Sequence, residues 1–310
     1  MVRAVQRTNP ELLPAAPEDI DALRKAHAPV GYKRDLLEVL WQTGGATALL
    51  SVGQGLRDVE FDPMWQGAMR AASPAVLISK WRRVEVFGHS RNRLRMEQVS
   101  QREVSCSRYS VAGHSPPTAP ENLLVCGVAI ALLEDIGCHG LRCDMPTGDG
   151  EILRIYDHGG FKVPGDGRQL ATESWQIGWR SFSPRPSDDD ATDPPPLALP
   201  AQCGAKAKST IETVTRLMAA DTARQWKLGE LARECGLSAR SMQRRLGEGG
   251  LNFSKLVRAV RVHEACRLLK ESDAPLTMIG FCAGFSDSAQ FSRDFRASTG
   301  MTPSDYRALI

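Results

Sequence analysis

The last third of this 310-residue chain repeats one local plan, and that repeat leaves few folds open. Leu228–Leu246 reads LGELARECGLSARSMQRRL, and Pro275–Phe295 reads PLTMIGFCAGFSDSAQFSRDF. In the first copy Leu231, Ala232 and Cys235 share one apolar face, Gly236 supplies a tight turn, Ser238 caps the next helix and Met242 returns to the core. In the second copy, 48 residues on, Ile279 and Gly280 stand in the places of Leu231 and Ala232, and Gly284 in that of Gly236. Phe281, Phe285, Phe291 and Phe295 supply its core. Between the copies, Phe253–Lys270 predicts a helix about 27 Å long at 1.5 Å per residue, which suits two reading helices spaced roughly one DNA turn, about 34 Å, apart.

The second helix of the first copy leaves Arg240, Ser241, Gln243, Arg244 and Arg245 exposed, with no acid before Glu248. In a major groove arginine pairs bidentately with guanine and glutamine with adenine, so this surface fits DNA. The bland alternative for such a segment is a basic, merely solvated helix face. In the second copy Ser288, Gln290 and Arg293 face outward. Charge is divided accordingly. From Ala205 to Ile310 there are 17 Lys+Arg against 11 Asp+Glu, a balance of +6, which leaves −3 for the residues ahead. A basic end joined to a mildly acidic front suits a polyanion reader attached to something else.

Ser181–Gly204, with six prolines and four aspartates, predicts an extended, solvated tether. The domains expected are therefore 1–180, a linker at 181–204 and an all-α domain at 205–310. Behind the tether, helices are predicted at Ile211–Ala219, Leu228–Cys235, Ala239–Leu246, Phe253–Lys270, Leu276–Ala283, Ser288–Thr299 and Pro303–Leu309. Ahead of it the pattern is mixed. Asp35–Ser51 and Asp62–Ala72 have helical spacing, whereas Val84, Val86, Leu94 and Met96 alternate with polar neighbours as strands do, with Val104–Val111 as a hairpin partner. Glu121–Gly137 predicts an apolar helix and Glu151–Tyr156 a strand. The front is α+β.

With 42% hydrophobic and 24% charged residues the composition is that of a globular chain. No run of about 18 apolar residues occurs, and the first twenty residues lack the apolar stretch of a signal peptide, so a cytoplasmic protein is expected. The eight cysteines form no CxxC pair and read as reduced thiols. Cys138, His139 and Cys143 lack the second cluster a zinc site needs. His89-Ser90 and His114-Ser115 have no GxSxG elbow, HExxH or phosphate loop to accompany them, so no catalytic residue, metal or cofactor is expected. Arg91, Arg93 and Arg95, or Trp175 and Trp179, are candidates for an effector pocket, with solvated strand face and ordinary core as the competing readings.

GFSDSAQFSRDFRASTGMTPSDYR, Gly284–Arg307, resembles the signature of the AraC/XylS family of transcription regulators, and the likeness extends back through QRRLGEGGLNFSKLVRAVRVHEACRLL to about Leu228. It covers about a quarter of the chain. The resemblance implies base contacts from Arg240, Gln243 and Arg244, and, in the second reading helix, the outward positions Ser288, Ala289, Gln290 and Arg293. Two residues depart from the pattern. Gly280 stands where the family usually has alanine, and Ala289 has no group to hydrogen-bond a base, so the first unit is expected to discriminate sequence more than the second. The LLEVLW and SVGQGL segments and the Glu121–Gly137 helix resemble the arabinose-binding-like domain of an AraC subgroup, which senses a small molecule or dimerises. The resemblance thus implies a transcriptional activator whose partners are promoter DNA, RNA polymerase, a small-molecule effector and a second copy of itself. Two alternatives stay open: an enzyme domain tethered to a DNA-binding tail, and a constitutive regulator whose front domain only dimerises.

Overall fold

The computed structural model describes residues 32–58, 65, 68, 70–87, 91–184 and 194–310. They belong to two compact units. The first takes in 32–58, 72–78 and 91–184, and the second 65, 68, 70–71, 79–87 and 194–310.

The first unit is α+β. Helix α1 (Tyr32–Gly55) is kinked at Gly45, whose φ of 61° is a left-handed value, and the amide of Ala46 turns there to donate to the Asp166 carbonyl at 2.8 Å. Helix α2 (Pro74–Phe87), whose residues from Ser79 on belong to the second unit, starts behind Ser73, whose hydroxyl accepts from the Val76 amide at 3.3 Å. After the hairpin β1 (Asn92–Ser100) and β2 (Glu103–Ser110) comes α3 (Ala119–Asp135), closed by a capping box between Thr118 and Glu121. The remaining strands are β3 (Cys138–His139), β4 (Arg142–Pro146), β5 (Ile152–Asp157), β6 (Gly160–Phe161), β7 (Ser174–Gly178) and β8 (Ser181–Phe182). Six of them form one antiparallel sheet in the order β1-β2-β7-β4-β5-β6, and β3 pairs with β8.

Alternation along the strands decides which sheet face is covered. Leu94, Met96, Val104, Cys106, Cys143, Met145, Trp175 and Ile177 are buried, while Arg95, Glu97 and Gln176 between them are exposed. Helix α3 lies on the apolar face: Asn122 accepts from Arg108 of β2 at 3.1 Å, and the Cys126 and Cys143 sulfurs stand 3.8 Å apart. Helices α1 and α3 cross at Gly53 and Gly127, where a Cβ would stand 2.2 Å from the Leu124 carbonyl oxygen and 2.1 Å from that of Leu50. Only glycine permits that approach. Trp175 and Trp179 are 1% and 2% exposed and belong to the core, not to an open pocket.

The second unit is all-helical over 194–310: α4 (Ala205–Ala220), α5 (Leu228–Glu234), α6 (Ala239–Glu248), α7 (Phe253–Glu271), α8 (Leu276–Cys282), α9 (Ser288–Thr299) and α10 (Pro303–Leu309). It has two cores. Ile211, Val214, Met218, Leu231, Met242, Leu246, Leu256 and Val260 make the first, and Leu268, Leu269, Ile279, Phe281, Phe285, Phe291 and Phe295 the second. Helix α7 contributes to both.

Two expectations are corrected. Val84 and Val86 lie in α2, not in a strand. Leu77, Lys80, Trp81 and Val84 recur at three- and four-residue spacing and Pro74 opens the helix, so the 3.6-residue period prevails over the local alternation. The expected tether has no helix or strand over 194–204 and turns at Ala201–Gln202, and it is not solvated throughout, because Leu197, Leu199 and Cys203 pack on the first helical core. At its start, Ser181–Phe182 is a strand. The expected helix at Asp62–Ala72 lies largely outside the described residues, as does 185–193 of the tether.

Candidate nucleic-acid interface

Each half of the helical unit presents a short helix behind a glycine turn. At the first turn Gly236 has φ 65°, and Ser238 caps α6 by accepting from the Ser241 amide at 3.1 Å. Met242 and Leu246 are wholly buried and anchor α6 to the first core. The opposite face carries Arg240, Gln243 and Arg244, all exposed. Arg244 lies 3.9 Å from Glu248 on the same helix, an exposed pair too weak to hold it out of contact with a ligand.

Two residues expected on that face are engaged elsewhere. The Ser241 hydroxyl accepts from the Ser238 hydroxyl at 2.9 Å, and the Arg245 guanidinium donates to Thr210 of α4 at 2.8 Å. Arg245 therefore ties α6 to its own core.

In the second half Gly284 turns the chain with φ 89°. Asp287 caps α9, its carboxylate accepting from the Gln290 amide at 2.7 Å, and that hydrogen bond, with help from Ser286, holds the carboxyl below its ordinary range. Gln290 closes the cap from the other side: its Oε1 accepts from the Ser286 amide at 2.8 Å and the Ser286 hydroxyl at 2.9 Å. Phe291 and Phe295 fill the core. Ala289 and Arg293 are exposed, Ser288 is half-buried, and Gly300 (φ 83°) ends the helix. Of the four positions expected on α9, only Arg293 combines charge with full exposure.

Sequence reasoning passed over Ser292 and Arg296, both exposed on α9. Arg296 stands three residues after Arg293, and that spacing alone puts the two arginines on one face.

Among the described residues no group of three or more His, Cys, Asp or Glu is gathered as a metal site would need, and no helix is long and apolar enough to cross a membrane. Cys143 faces Cys126 rather than a histidine.

Comparison with known proteins bears on this part of the chain. The model of a family described as "Helix-turn-helix domain" matches residues 231–309. The chain is 32% identical over 99 residues to the HTH-type transcriptional activator FapR of Escherichia coli, covering 32% of this chain and 38% of that protein. It is 40% identical over 80 residues to the ornithine utilization regulator of Pseudomonas aeruginosa, covering 26% of this chain and 24% of that one. The chain thus spans less than half the length of either relative. Among solved structures, a transcriptional regulator with an AraC-type DNA-binding domain from Chromobacterium violaceum is 26% identical over 34% of this chain and 95% of its own, with a TM-score of 0.32. The regulator CdpR of Pseudomonas aeruginosa is 17% identical, covers 93% of this chain and 95% of its own, and has a TM-score of 0.35. Residues 231–309, two short helix pairs each turned by a glycine and set on its own core, are a helix-turn-helix domain of the AraC type.

Proposed function

We propose that this chain is a sequence-specific DNA-binding transcription regulator, an activator and not an enzyme, whose N-terminal unit binds a small molecule or a second copy of the chain. The observation that carries the reading is the pair of outward helix faces in 205–310: Arg240, Gln243 and Arg244 on α6, and Arg293 with Arg296 on α9, each held by buried residues on the opposite side of the same helix. A rigid helix offering arginine and glutamine from one face fits a major groove, and its arginines also reach phosphates. Ser288, half-buried, and Ala289, exposed, stand at the start of α9 and are assigned to the backbone of the duplex, and Ser241 and Gln290 hold their helices' caps. RNA polymerase is the partner an activator bound at a promoter requires.

The experiment is selection of bound sequences from random DNA by the full-length protein, followed by titration of the selected site in rising salt and by repetition with Arg240→Ala. A recovered motif that changes at one position in the variant, with affinity falling steeply in salt, supports the reading. Recovery of no motif, together with salt-independent binding, overturns it. A ligand for the N-terminal unit is sought by thermal shift, since a compound at 100 times its dissociation constant adds about 2.7 kcal/mol.

A further inference from the structure

The second helical unit contains a piece of chain drawn from far ahead in the sequence. Residues 79–87 pack with 194–310, and through them the second helix-turn-helix is fastened to the loop that follows α4. Lys80 is 2% exposed and its ammonium lies 2.7 Å from the carboxylate of Asp221, the residue that ends α4. One turn on, the guanidinium of Arg83 divides between two carbonyls. It donates to Ala223, 140 residues away, and at 2.8 Å to Phe285, 202 residues away, while standing over the Phe281 ring at 5.3 Å from its centroid. Val84 packs on the second core, and Arg70, from the other early piece of this unit, reaches the buried Glu264 of α7 at 3.5 Å.

The two backbone segments that Arg83 bridges also touch directly. Thr222 donates its hydroxyl to the Cys282 carbonyl at 2.9 Å, and the Gln225 side-chain amide donates to the Gly284 carbonyl at 2.8 Å. A Cβ on Gly284 would stand 2.0 Å from the Thr222 carbonyl oxygen. The loop after α4 is therefore seated on the turn between α8 and α9. The two halves have separate cores, and this seam joins them alongside α7.

We propose that Lys80 and Arg83 are positioning residues for DNA recognition, which hold the α8–α9 turn against the loop after α4 so that α9 meets DNA in fixed register with α6. The proposal rests on the DNA-binding function put forward above. Burial pushes the Lys80 ammonium down and the Asp221 carboxyl up, and the contact between them favours the charged form of each. The fork of a guanidinium spans two carbonyls in a way the single ammonium of lysine does not.

The test uses the full-length protein and a site selected from random DNA, with hydroxyl-radical footprinting to map the protected backbone. Arg240→Ala and Arg293→Ala assign the patches under α6 and α9. Arg83→Ala is expected to bind the site about tenfold more weakly, the loss of charge-assisted hydrogen bonds, and to lose protection under α9 while keeping it under α6. Arg83→Lys, which preserves charge and most of the packing, is expected to show the same one-sided loss to a smaller degree, and it decides the matter where the alanine variant does not fold. Equal weakening of both patches, unchanged protection in folded Arg83→Lys, or a single patch in the wild-type footprint overturns the proposal. Failure of the wild-type protein to select any sequence is a different result, and it removes the DNA-binding reading itself.

Discussion

The two helix-turn-helix halves follow one plan but divide the work unequally. In the first half the turn glycine has nothing within 4 Å of where its Cβ would be, and its second helix leaves Arg240, Gln243 and Arg244 exposed. In the second, the turn glycine is pressed against the Thr222 backbone, Gln290 closes its own helix cap, and Ala289 offers no polar group. One half is built to read and the other to be held. A sequence repeat is thus no guarantee of an energetic one, because what surrounds each copy sets what a given position costs.

Substituting the two turn glycines tests that contrast most severely. Gly284→Ala combines left-handed strain with a backbone overlap that no side-chain movement relieves, and is expected to lower stability by more than about 4 kcal/mol, read by denaturant titration. Gly236→Ala carries the strain alone and is expected to cost about 1–2 kcal/mol in the same assay. Similar losses at the two sites would erase the distinction drawn here.

Binding comes next in size. Arg240→Ala is expected to cost about 1–3 kcal/mol of discrimination at one base position while leaving the melting temperature unchanged, measured on the selected site against single-base variants. Gln290→Ala is expected to behave oppositely, losing about 0.5–1 kcal/mol of stability with its cap and little base preference. A larger specificity change at Gln290 than at Gln243 would reverse the assignment of reading and holding halves. The smallest effect belongs to Arg293→Ala, expected to weaken binding evenly across sequences and to reduce the salt slope by about 1.

The helical region was legible nearly residue by residue, and the reasons are local. Apolar residues at helical period, Ser238 and Asp287 as caps, and glycines at Gly236, Gly284 and Gly300 mark starts and stops that require no distant partner. The front region was legible only in part. Strands β4 and β7 escaped notice because Cys143, Met145, Trp175 and Ile177 are too few per strand to show a period, and because the partners of β7 lie far off in the chain. The alternation around Val84 and Val86 imitated a strand, and nothing nearby showed that Lys80 and Arg83 had buried partners more than a hundred residues away.

For the candidate site, exposure of Arg240, Gln243 and Arg244 followed from helical geometry, since Met242 and Leu246 had to face inward. The engagement of Arg245 did not follow, because its bond to Thr210 of α4 depends on where a second segment lies, whereas the cap contacts of Ser241 with Ser238 and of Gln290 with Ser286 are local and were passed over.

The sequence by itself determined that this chain carries two glycine-turned helix pairs with a basic outer surface, because period, caps and left-handed turns are properties of a few consecutive residues. Only the tertiary structure decided which of those outer residues are available, that the loop after α4 seats on the second turn, and that a lysine and an arginine from the front of the chain clasp that seam. Those outcomes depend on burial and on hydrogen bonds between segments up to 202 residues apart, and no local pattern encodes them.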